Sequence, residues 1–350
     1  MGELERLLVA RIEANGPIGF DEYQANALYA PESGFYQRGG GAGRRRDFLT
    51  SPEVGPLFGA VIARALDTWW YELGRPDPYV VIDAGAGPGT LARAILRADP
   101  HCSRALDLML VEVAPIQWAT HPAGVRSAVE LPAPHPSGAP AVVLANELLD
   151  NMAISVCERT TDAWVEIVVD VSDGRLVEGT SPLTEAQQRW CAKRAPDAPV
   201  GGRIPVLGEA AAWLTRAVSV AGNGGRVVAI DYARSTAEMA SVLPSAWLRT
   251  YADHGRAAGP LHDPGSYDIT ADVAMDQLAL VADPSIVQSQ AAFLRSHGID
   301  ELVDEGRRGW ERMGLAGGLE ALAARSRVTE AQALLDPFGL GGFTVAQWVR

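Results

Sequence analysis

A short apolar run in this chain leads directly into an aspartate and a set of alternating glycines. Asp83 is followed by Gly85, Gly87 and Gly89, and the segment Thr90–Ala98 then has the composition of a helix. Glycines in such a turn allow the backbone to approach a ligand closely, and the free N–H groups of the helix N-terminus point at it. The sequence therefore predicts a nucleotide-type binding loop between a strand and a helix.

The spacing of the glycines indicates which kind of nucleotide the loop binds. Dinucleotide-binding proteins use GxGxxG, in which the third glycine packs the helix against the strand. Here the pattern is GxGxG, and Thr90 occupies the position that GxGxxG would require. Asp83 would also repel a pyrophosphate, whereas it suits a ligand that carries a sulfonium, an amino group and no phosphate. The loop is therefore predicted to bind S-adenosylmethionine rather than a nicotinamide dinucleotide.

A second acid supports this prediction. Glu112 directly follows the apolar run Leu108–Val111, which reads as the next strand. At the end of that strand, a carboxylate is placed to accept hydrogen bonds from ribose hydroxyl groups. Together with the strand, turn and helix around Asp83, Glu112 favours a methyltransferase over a dehydrogenase.

An Asn-Glu pair follows a third apolar run. Asn146 and Glu147 come directly after Ala141–Ala145, and ligands bind at the carboxyl ends of strands in open α/β sheets. The amide of Asn146 can donate and accept hydrogen bonds, and the carboxylate of Glu147 can orient or deprotonate a nitrogen nucleophile. The alternative for Asn146 is that it simply caps the following helix.

The elements that must position these residues alternate between strands and helices. Short runs rich in β-branched residues, separated by helical segments, indicate an α/β fold with a parallel strand core covered on both faces. We expect a Rossmann-like core at 76–152 and 208–350, with an insertion on the substrate side at 153–207. Residues 1–75 are expected to form an N-terminal helical region, whose Gly-rich but aromatic segment 31–56 is typical of an ordered lid loop.

The amino-acid composition and net charge argue against some kinds of binding partner. The chain of 350 residues has a formal net charge of −13, which argues against broad nucleic-acid binding because phosphate contacts need clustered cations. The local cluster Arg44-Arg45-Arg46 could contact an acidic partner or nucleic acid, but a solvated loop is the simpler interpretation. No run of 18 or more apolar residues occurs, so a membrane span is not expected. The cysteines and histidines do not have the spacing of a metal site. The three scattered cysteines suit a reducing compartment, so a cytoplasmic protein is expected.

The sequence also resembles a known family, the MidA-type methyltransferases, which include the mitochondrial complex I assembly factor 7. The resemblance is carried, in the same order along the chain, by Gly34-Phe35-Tyr36, Gly43, Asp47–Glu53, Phe58-Gly59, Asp83–Leu91, Val111-Glu112-Val113, Asn146–Asp150, Gly225, Asp231-Tyr232, Asp268–Val273 and Gln290–Gly298. The family's Asn-Glu-x-x-Asp motif usually continues with Ala-Leu-Pro, whereas this chain has Asn151-Met152-Ala153. This departure lies beside the predicted crevice and bears on the substrate more than on the cofactor.

The resemblance implies a class I methyltransferase fold, S-adenosylmethionine as cofactor, and a protein arginine as methyl acceptor. It also implies that Ser51 and Pro52, in the N-terminal block, lie on the cofactor side of the site. Glu147 is the first candidate for the catalytic carboxylate. Asp47 and Asp231 are further candidates, although each could instead cap a helix or stabilise a loop.

Three functions are compatible with these residues. The first is N-methylation of a protein arginine, the second is methylation of a small metabolite, and the third is assembly or scaffolding by a protein that binds S-adenosylmethionine without turnover. Tyr36, Phe48 and Tyr232 are candidate pocket walls. The partner is then a protein substrate or a small molecule, and a homodimer is compatible with the sequence.

Overall fold

The chain folds into a mixed α/β structure, described here from a computed structural model that covers residues 2–40, 50–252, 255–256, 259–313 and 319–350. The predictions for Asp47, Phe48 and the arginine cluster at 44–46 lie outside the described residues. The helices are α1 (Glu3–Asn15), α2 (Phe20–Tyr29), α3 (Ser51–Val54), α4 (Pro56–Glu72), α5 (Thr90–Ala98), α6 (Glu185–Arg194), α7 (Gly208–Ala221), α8 (Thr236–Ala240), α9 (Met275–Leu278), α10 (Gln290–Ser296), α11 (Ile299–Met313) and α12 (Leu319–Leu335). The strands are β1 (Ile18–Gly19), β2 (Tyr79–Ala84), β3 (Leu106–Val111), β4 (Arg126–Ala128), β5 (Ala141–Asn146), β6 (Ser155–Arg159), β7 (Trp164–Ser172), β8 (Arg175–Pro182), β9 (Arg203–Val206), β10 (Arg226–Asp231), β11 (Ala233–Arg234), β12 (Leu248–Ala252), β13 (Gly255–Arg256), β14 (Asp268–Ala271), β15 (Val273–Ala274), β16 (Ile286–Ser289) and β17 (Thr344–Val349).

A seven-stranded sheet forms the centre of the fold, in the order β16-β17-β10-β5-β2-β3-β4. The pairs from β10 to β4 are parallel, whereas β17 runs antiparallel to both β10 and β16. This mostly parallel sheet confirms the predicted Rossmann-like α/β class.

The central strands are buried on both faces, which explains why they read as nearly continuous apolar runs. Successive side chains of a strand point to opposite faces, and here they enter two separate hydrophobic clusters. One face contributes Ile82, Val143 and Val227, and the other contributes Val81, Val142 and Val228. Burying each such side chain stabilises the fold by about 1.5–3 kcal/mol, so this sheet is a rigid platform for the loops at its edge.

The strand order reverses at β2, because β3 lies on one side of it and β5 on the other. In open α/β sheets, ligands bind in the crevice outside the carboxyl ends of the strands at such a reversal. Asp83 lies near the end of β2, Asn146 ends β5, Asp231 ends β10, and Glu112 directly follows β3. The topology therefore brings four of the predicted site residues to one edge of the sheet.

A second sheet stands beside the first and is built from β1, β6, β7, β8 and β9. Four of its strands and helix α6 fall within the predicted insertion at 153–207, whereas β1 comes from residues 18–19 and pairs with β7. The domain boundaries themselves stay a prediction. Of the helices that the structure describes, none is long and apolar enough to cross a membrane.

Candidate active site

A cleft with a cavity volume of about 110 Å³ opens at the carboxyl edge of β2, β3 and β5. Its lining residues come from the glycine loop, the β3 and β5 ends, and the N-terminal region: Tyr29, Tyr36, Thr50, Pro52, Glu53, Asp83, Gly85–Pro88, Thr90, Leu91, Glu112, Val113, Gln117, Asn146–Leu148 and Asn151.

Asp83 lines this cleft, and one of its carboxylate oxygens has no partner in the part of the chain that is described. Its side chain is 98% buried, and Oδ2 has no hydrogen-bond partner among the described residues. Burial, reinforced by the neighbouring Glu112 carboxylate, raises the pKa of Asp83 to about 7. A buried acceptor without a partner is costly unless a ligand satisfies it. The amino group of S-adenosylmethionine fits this atom, and a phosphate does not.

The glycines of the loop have a conformation that other residues rarely adopt. Gly85, Gly87 and Gly89 have φ values of +71°, +50° and +76°. A Cβ on Gly85 would lie 2.9 Å from Cδ1 of Leu148, so this glycine is required by both strain and space. Gly89 does not line the cleft: it is the N-cap of α5, and a Cβ there would press on His121. The first two glycines thus shape the cleft, and the third starts the helix.

Glu112 links the glycine loop to the neighbouring strand. Its Oε2 accepts a hydrogen bond from Gly87 N at 2.8 Å, and its Oε1 accepts one from Ala114 N at 2.9 Å. Burial raises the pKa of Glu112, while these backbone donors oppose the shift. The carboxylate lines the cleft and retains lone pairs for further donors, so it can accept hydrogen bonds from ribose hydroxyl groups.

Asn146 and Glu147 form a strained turn at the end of β5. Glu147 has a φ of +51°, and its N–H donates to Ile230 O at 2.8 Å. Its Oε1 accepts hydrogen bonds from Ser51 N at 3.1 Å and from Asn146 Nδ2 at 3.2 Å. Burial raises the pKa of Glu147 to about 8, with a contribution from Asp150, while those two donors lower it.

Asn146 does not act as a helix cap. Its Nδ2 is used by Glu147, and the buried Oδ1 has no partner among the residues described. The 3-10 turn at Leu149–Asn151 is preceded by Leu148 and has no side-chain cap. Both Asn146 and Glu147 line the cleft, so an unused amide oxygen stands beside a carboxylate there. Backbone strain of this kind concentrates at functional sites.

Asp231 occupies a different position from the one that a catalytic carboxylate needs. Its Oδ2 accepts hydrogen bonds from Leu149 N at 2.9 Å and Asp150 N at 3.3 Å, and its Oδ1 accepts one from Tyr232 N at 3.0 Å. The side chain is fully buried and does not line the cleft. Of the two interpretations left open by the sequence, the geometry favours a loop-stabilising acceptor that holds the turn after Glu147.

The N-terminal block reaches the cleft in part. Pro52 lines it, whereas the fully buried Ser51 side chain turns away and donates from Oγ to Gln290 Oε1 at 2.9 Å. Among the candidate walls, Tyr36 lines the cleft, but Tyr232 packs on Phe343 with ring centroids 4.1 Å apart.

Several lining residues were not identified from the sequence. Tyr29, Glu53, Gln117 and Asn151 line the cleft, and the rings of Tyr29 and Tyr36 stack at 5.5 Å. Tyr29 lies at the end of an amphipathic helix, where an aromatic residue reads as core. Glu53 ends the N-terminal block Asp47–Glu53 and Asn151 directly follows Asn146–Asp150, so both could have been expected near the site, but nothing local distinguishes Gln117.

The described lining of the cleft is rich in carboxyl groups. Its described lining contains the carboxylates of Glu53, Asp83, Glu112 and Glu147, and neither lysine nor arginine. Such a site favours ligands that carry positive charge. Within the described ranges, no group of three or more His, Cys, Asp or Glu residues stands together in a way that could hold a metal ion.

Comparison with known families gives a match over most of the chain. The model of the family described as "Putative S-adenosyl-L-methionine-dependent methyltransferase" matches residues 61–291, which include the glycine loop, Glu112 and the Asn-Glu turn.

Individual relatives and a solved structure agree with this match. The chain is 28% identical to "Protein arginine methyltransferase NDUFAF7 homolog, mitochondrial" of Drosophila melanogaster, over 81% of this chain and 70% of the relative. It is 24% identical to the Homo sapiens protein arginine methyltransferase NDUFAF7, mitochondrial, over 84% of this chain and 73% of the relative. A crystal structure from Burkholderia thailandensis, solved with S-adenosyl-homocysteine bound, superposes with a TM-score of 0.83 at 26% identity, covering 99% of this chain and 92% of that one.

Proposed function

The chain belongs to the family of S-adenosyl-L-methionine-dependent methyltransferases, and from that premise we propose that it methylates a nitrogen of a protein arginine side chain. The cofactor and the class of enzyme follow from the family match, the relatives and the ligand-bound structural neighbour. The arginine acceptor is the proposal.

The observation that carries the proposal is that the described lining of the cleft contains several carboxyl groups and neither lysine nor arginine. Asp83 and Glu112 lie at the glycine loop, where the amino group and ribose of the cofactor need partners. Glu147 is supplied by a different element, the turn after β5, and lines the same cleft, where it can bind the acceptor. A guanidinium group is planar, always charged and rich in N–H donors, so it suits paired carboxylate and amide oxygens.

Glu147 and Asn146 are the residues proposed to act on the acceptor. S-adenosylmethionine supplies an electrophilic methyl group when bound. The Glu147 carboxylate, ionised by a cation beside it, accepts N–H bonds from the guanidinium and concentrates its charge on one side. The Oδ1 of Asn146, which has no hydrogen-bond partner in the described part of the chain, accepts a further N–H, and Glu147 takes up the proton that the methylated nitrogen releases. With a pKa of about 8 in the ligand-free cleft, Glu147 is basic enough for that role.

The relatives support the same acceptor. The Drosophila and human proteins are named protein arginine methyltransferases, and the alignment with each covers more than four fifths of this chain. The departure Asn151-Met152-Ala153 lies next to the cleft, which Asn151 lines, so the identity of the target protein is where this chain is expected to differ.

The test is methyl transfer from tritiated S-adenosylmethionine into a lysate of a host strain that lacks the gene. Wild type is compared with Glu147→Gln and with Glu185→Gln, a change at a surface carboxylate whose side chain is 94% exposed. We expect label in the protein fraction, recovered as methylarginine after acid hydrolysis, for wild type and Glu185→Gln. Transfer by Glu147→Gln should fall at least 100-fold, in the range of general acid–base contributions.

Other outcomes would replace the proposal. Label confined to the small-molecule fraction would indicate a metabolite methyltransferase. Cofactor binding without label in either fraction would indicate an assembly or scaffolding protein. The cytoplasmic location, the homodimer and the lack of nucleic-acid binding stay predictions from the sequence, and the names of the relatives place those proteins in mitochondria.

A further inference from the structure

Gln290 is a buried glutamine that does not line the cleft, yet it is hydrogen-bonded to Ser51, the residue whose backbone N–H donates to Glu147. It is the first residue of α10 and has no exposed surface. Its Oε1 accepts a hydrogen bond from Ser51 Oγ at 2.9 Å, and its Nε2 donates to Leu334 O at 3.4 Å. Its own backbone N–H donates to Phe343 O at 2.7 Å. The side chain is therefore anchored to α12 and the backbone to the segment before β17, and the side-chain oxygen accepts the hydrogen bond from Ser51.

Ser51 transmits this contact to the Asn-Glu turn. While its hydroxyl bonds to Gln290, its backbone N–H donates to Glu147 Oε1 at 3.1 Å. Ser51 begins α3, which is only four residues long, and its neighbours Thr50 and Pro52 line the cleft. A single helical turn has little stability of its own, so its position depends on tertiary anchors.

We infer that Gln290 is a positioning residue for Glu147, acting through Ser51: it fixes the start of α3 so that the Ser51 N–H aims the Glu147 carboxylate at the methyl acceptor. The catalytic relevance of this inference rests on the role of Glu147 in the proposed function. The geometric part does not, because the hydrogen bonds from Gln290 to Ser51 and from Ser51 to Glu147 exist whatever the acceptor is.

A loss of this contact has a defined electrostatic signature. The Ser51 N–H is one of the two donors that hold the pKa of Glu147 down against the effect of burial. Weakening that bond must therefore raise the pKa above its value of about 8. The other titratable groups that act on Glu147 are Asp150, Asp231 and Tyr232, and none of their described bonds involves Gln290 or Ser51.

The test is a ¹³C NMR titration of the full chain labelled at the side-chain carboxyl carbon of glutamate. Glu147→Gln identifies the resonance of Glu147 by its disappearance. The variants are Gln290→Leu, Ser51→Ala and their double mutant. Gln277→Leu is the matched control, because Gln277 is another buried glutamine with three side-chain hydrogen bonds, to Leu207, Pro205 and Thr236, and with no described bond to Ser51 or Glu147.

We expect Gln290→Leu and Ser51→Ala each to raise the pKa of Glu147 by about half a unit or more. The double mutant should show no further rise, since both changes remove one path. Gln277→Leu should leave the pKa unchanged, and calorimetry should show the same S-adenosylhomocysteine affinity within about twofold for every variant. Should Gln290→Leu fail to fold, Ser51→Ala carries the test alone, because it removes the hydroxyl and keeps the backbone donor.

An unchanged Glu147 pKa in the folded Ser51→Ala and Gln290→Leu variants, or an equal rise in Gln277→Leu, would overturn the inference. The titration requires no methyl acceptor, so its result is separate from the fate of the proposed function. If the wild-type enzyme transfers label to protein, kinetics give a second readout. Ser51→Ala and Gln290→Leu should each lower kcat about tenfold and leave the KM for the cofactor unchanged.

Discussion

Asp83 should make cofactor affinity depend on pH in the range where most carboxylates are already ionised. The pKa of this buried group is raised to about 7, and its Oδ2 is unsatisfied among the described residues. A cationic amino group binds the carboxylate and not the neutral acid. Binding below pH 7 must therefore release a proton from Asp83.

The size of the effect follows from that value. The apparent dissociation constant equals the intrinsic constant divided by the competent fraction, which falls from about one half at pH 7 to about one in eleven at pH 6. Affinity should thus be about fivefold weaker at pH 6 than at pH 7, with about 0.9 proton released per ligand at pH 6. Asp83→Asn should bind about 10- to 100-fold more weakly at pH 7, because a charged hydrogen bond contributes about 1.5–3 kcal/mol.

The assay is isothermal titration with S-adenosylhomocysteine between pH 5.5 and 7, where the ligand's own amino group stays protonated. Titrations in two buffers with different ionisation enthalpies count the protons released. Asp162→Asn, at an exposed turn between β6 and β7, serves as the control and should behave as wild type. Wild-type affinity that is flat over this range, or a pH dependence that survives in Asp83→Asn, would refute the reasoning.

Two further predictions concern strain and stability. Gly85→Ala should weaken S-adenosylhomocysteine binding, measured by calorimetry, at least tenfold, because the new Cβ meets Leu148 at 2.9 Å. The control is Gly174→Ala, at a nearly equal φ of +70° but with open space around it. This control should lower the melting temperature through backbone strain and leave the affinity unchanged. The ligand-free protein should lose stability as pH rises from about 5 to 8.5, because the folded state holds the pKa values of Glu147 and Asp268 at about 8, above those of unfolded carboxyl groups. The stabilisation from these two groups is complete near pH 4 and is lost as pH passes through 8, at up to about 1.4 kcal/mol per group and pH unit. A melting temperature, measured by calorimetry, that rises over this pH interval would contradict the prediction.

The sequence predicted the parts of this site that depend on local patterns. The strand before Asp83 and the helix Thr90–Ala98 were found with close to their observed bounds, because apolar runs and glycine punctuation carry that information. Glu112 and Asn146 were placed at the sheet edge for the same reason, since a residue that directly follows a parallel strand must lie there.

Residues whose position depends on long-range contacts were not predictable. Asp231 ends a strand as Asn146 does, yet its Oδ2 accepts hydrogen bonds from two backbone amides more than 80 positions earlier in the chain. Tyr29 has the spacing of a core residue, and only the packing of α2 places it at the cleft. Gln290 forms its contact with Ser51 across 239 positions of sequence, which no local pattern reveals.

The ionisation of the site residues was likewise not predictable from the sequence. Sequence spacing showed that acids cluster near the crevice, but the raised pKa values of Asp83 and Glu147 come from burial, which is known only once the fold is described. The same holds for the unused oxygen of Asn146.

The central prediction is that the cleft beside β2, where the strand order reverses, binds the cofactor and that Glu147 lies at its acceptor end. A crystal structure of the full chain with S-adenosylhomocysteine tests this most directly. We expect the ribose hydroxyls within hydrogen-bonding distance of Glu112, the amino group at Asp83, and the sulfur facing Asn146 and Glu147. A nucleoside bound elsewhere, or one bound with its sulfur turned away from Glu147, would contradict the account.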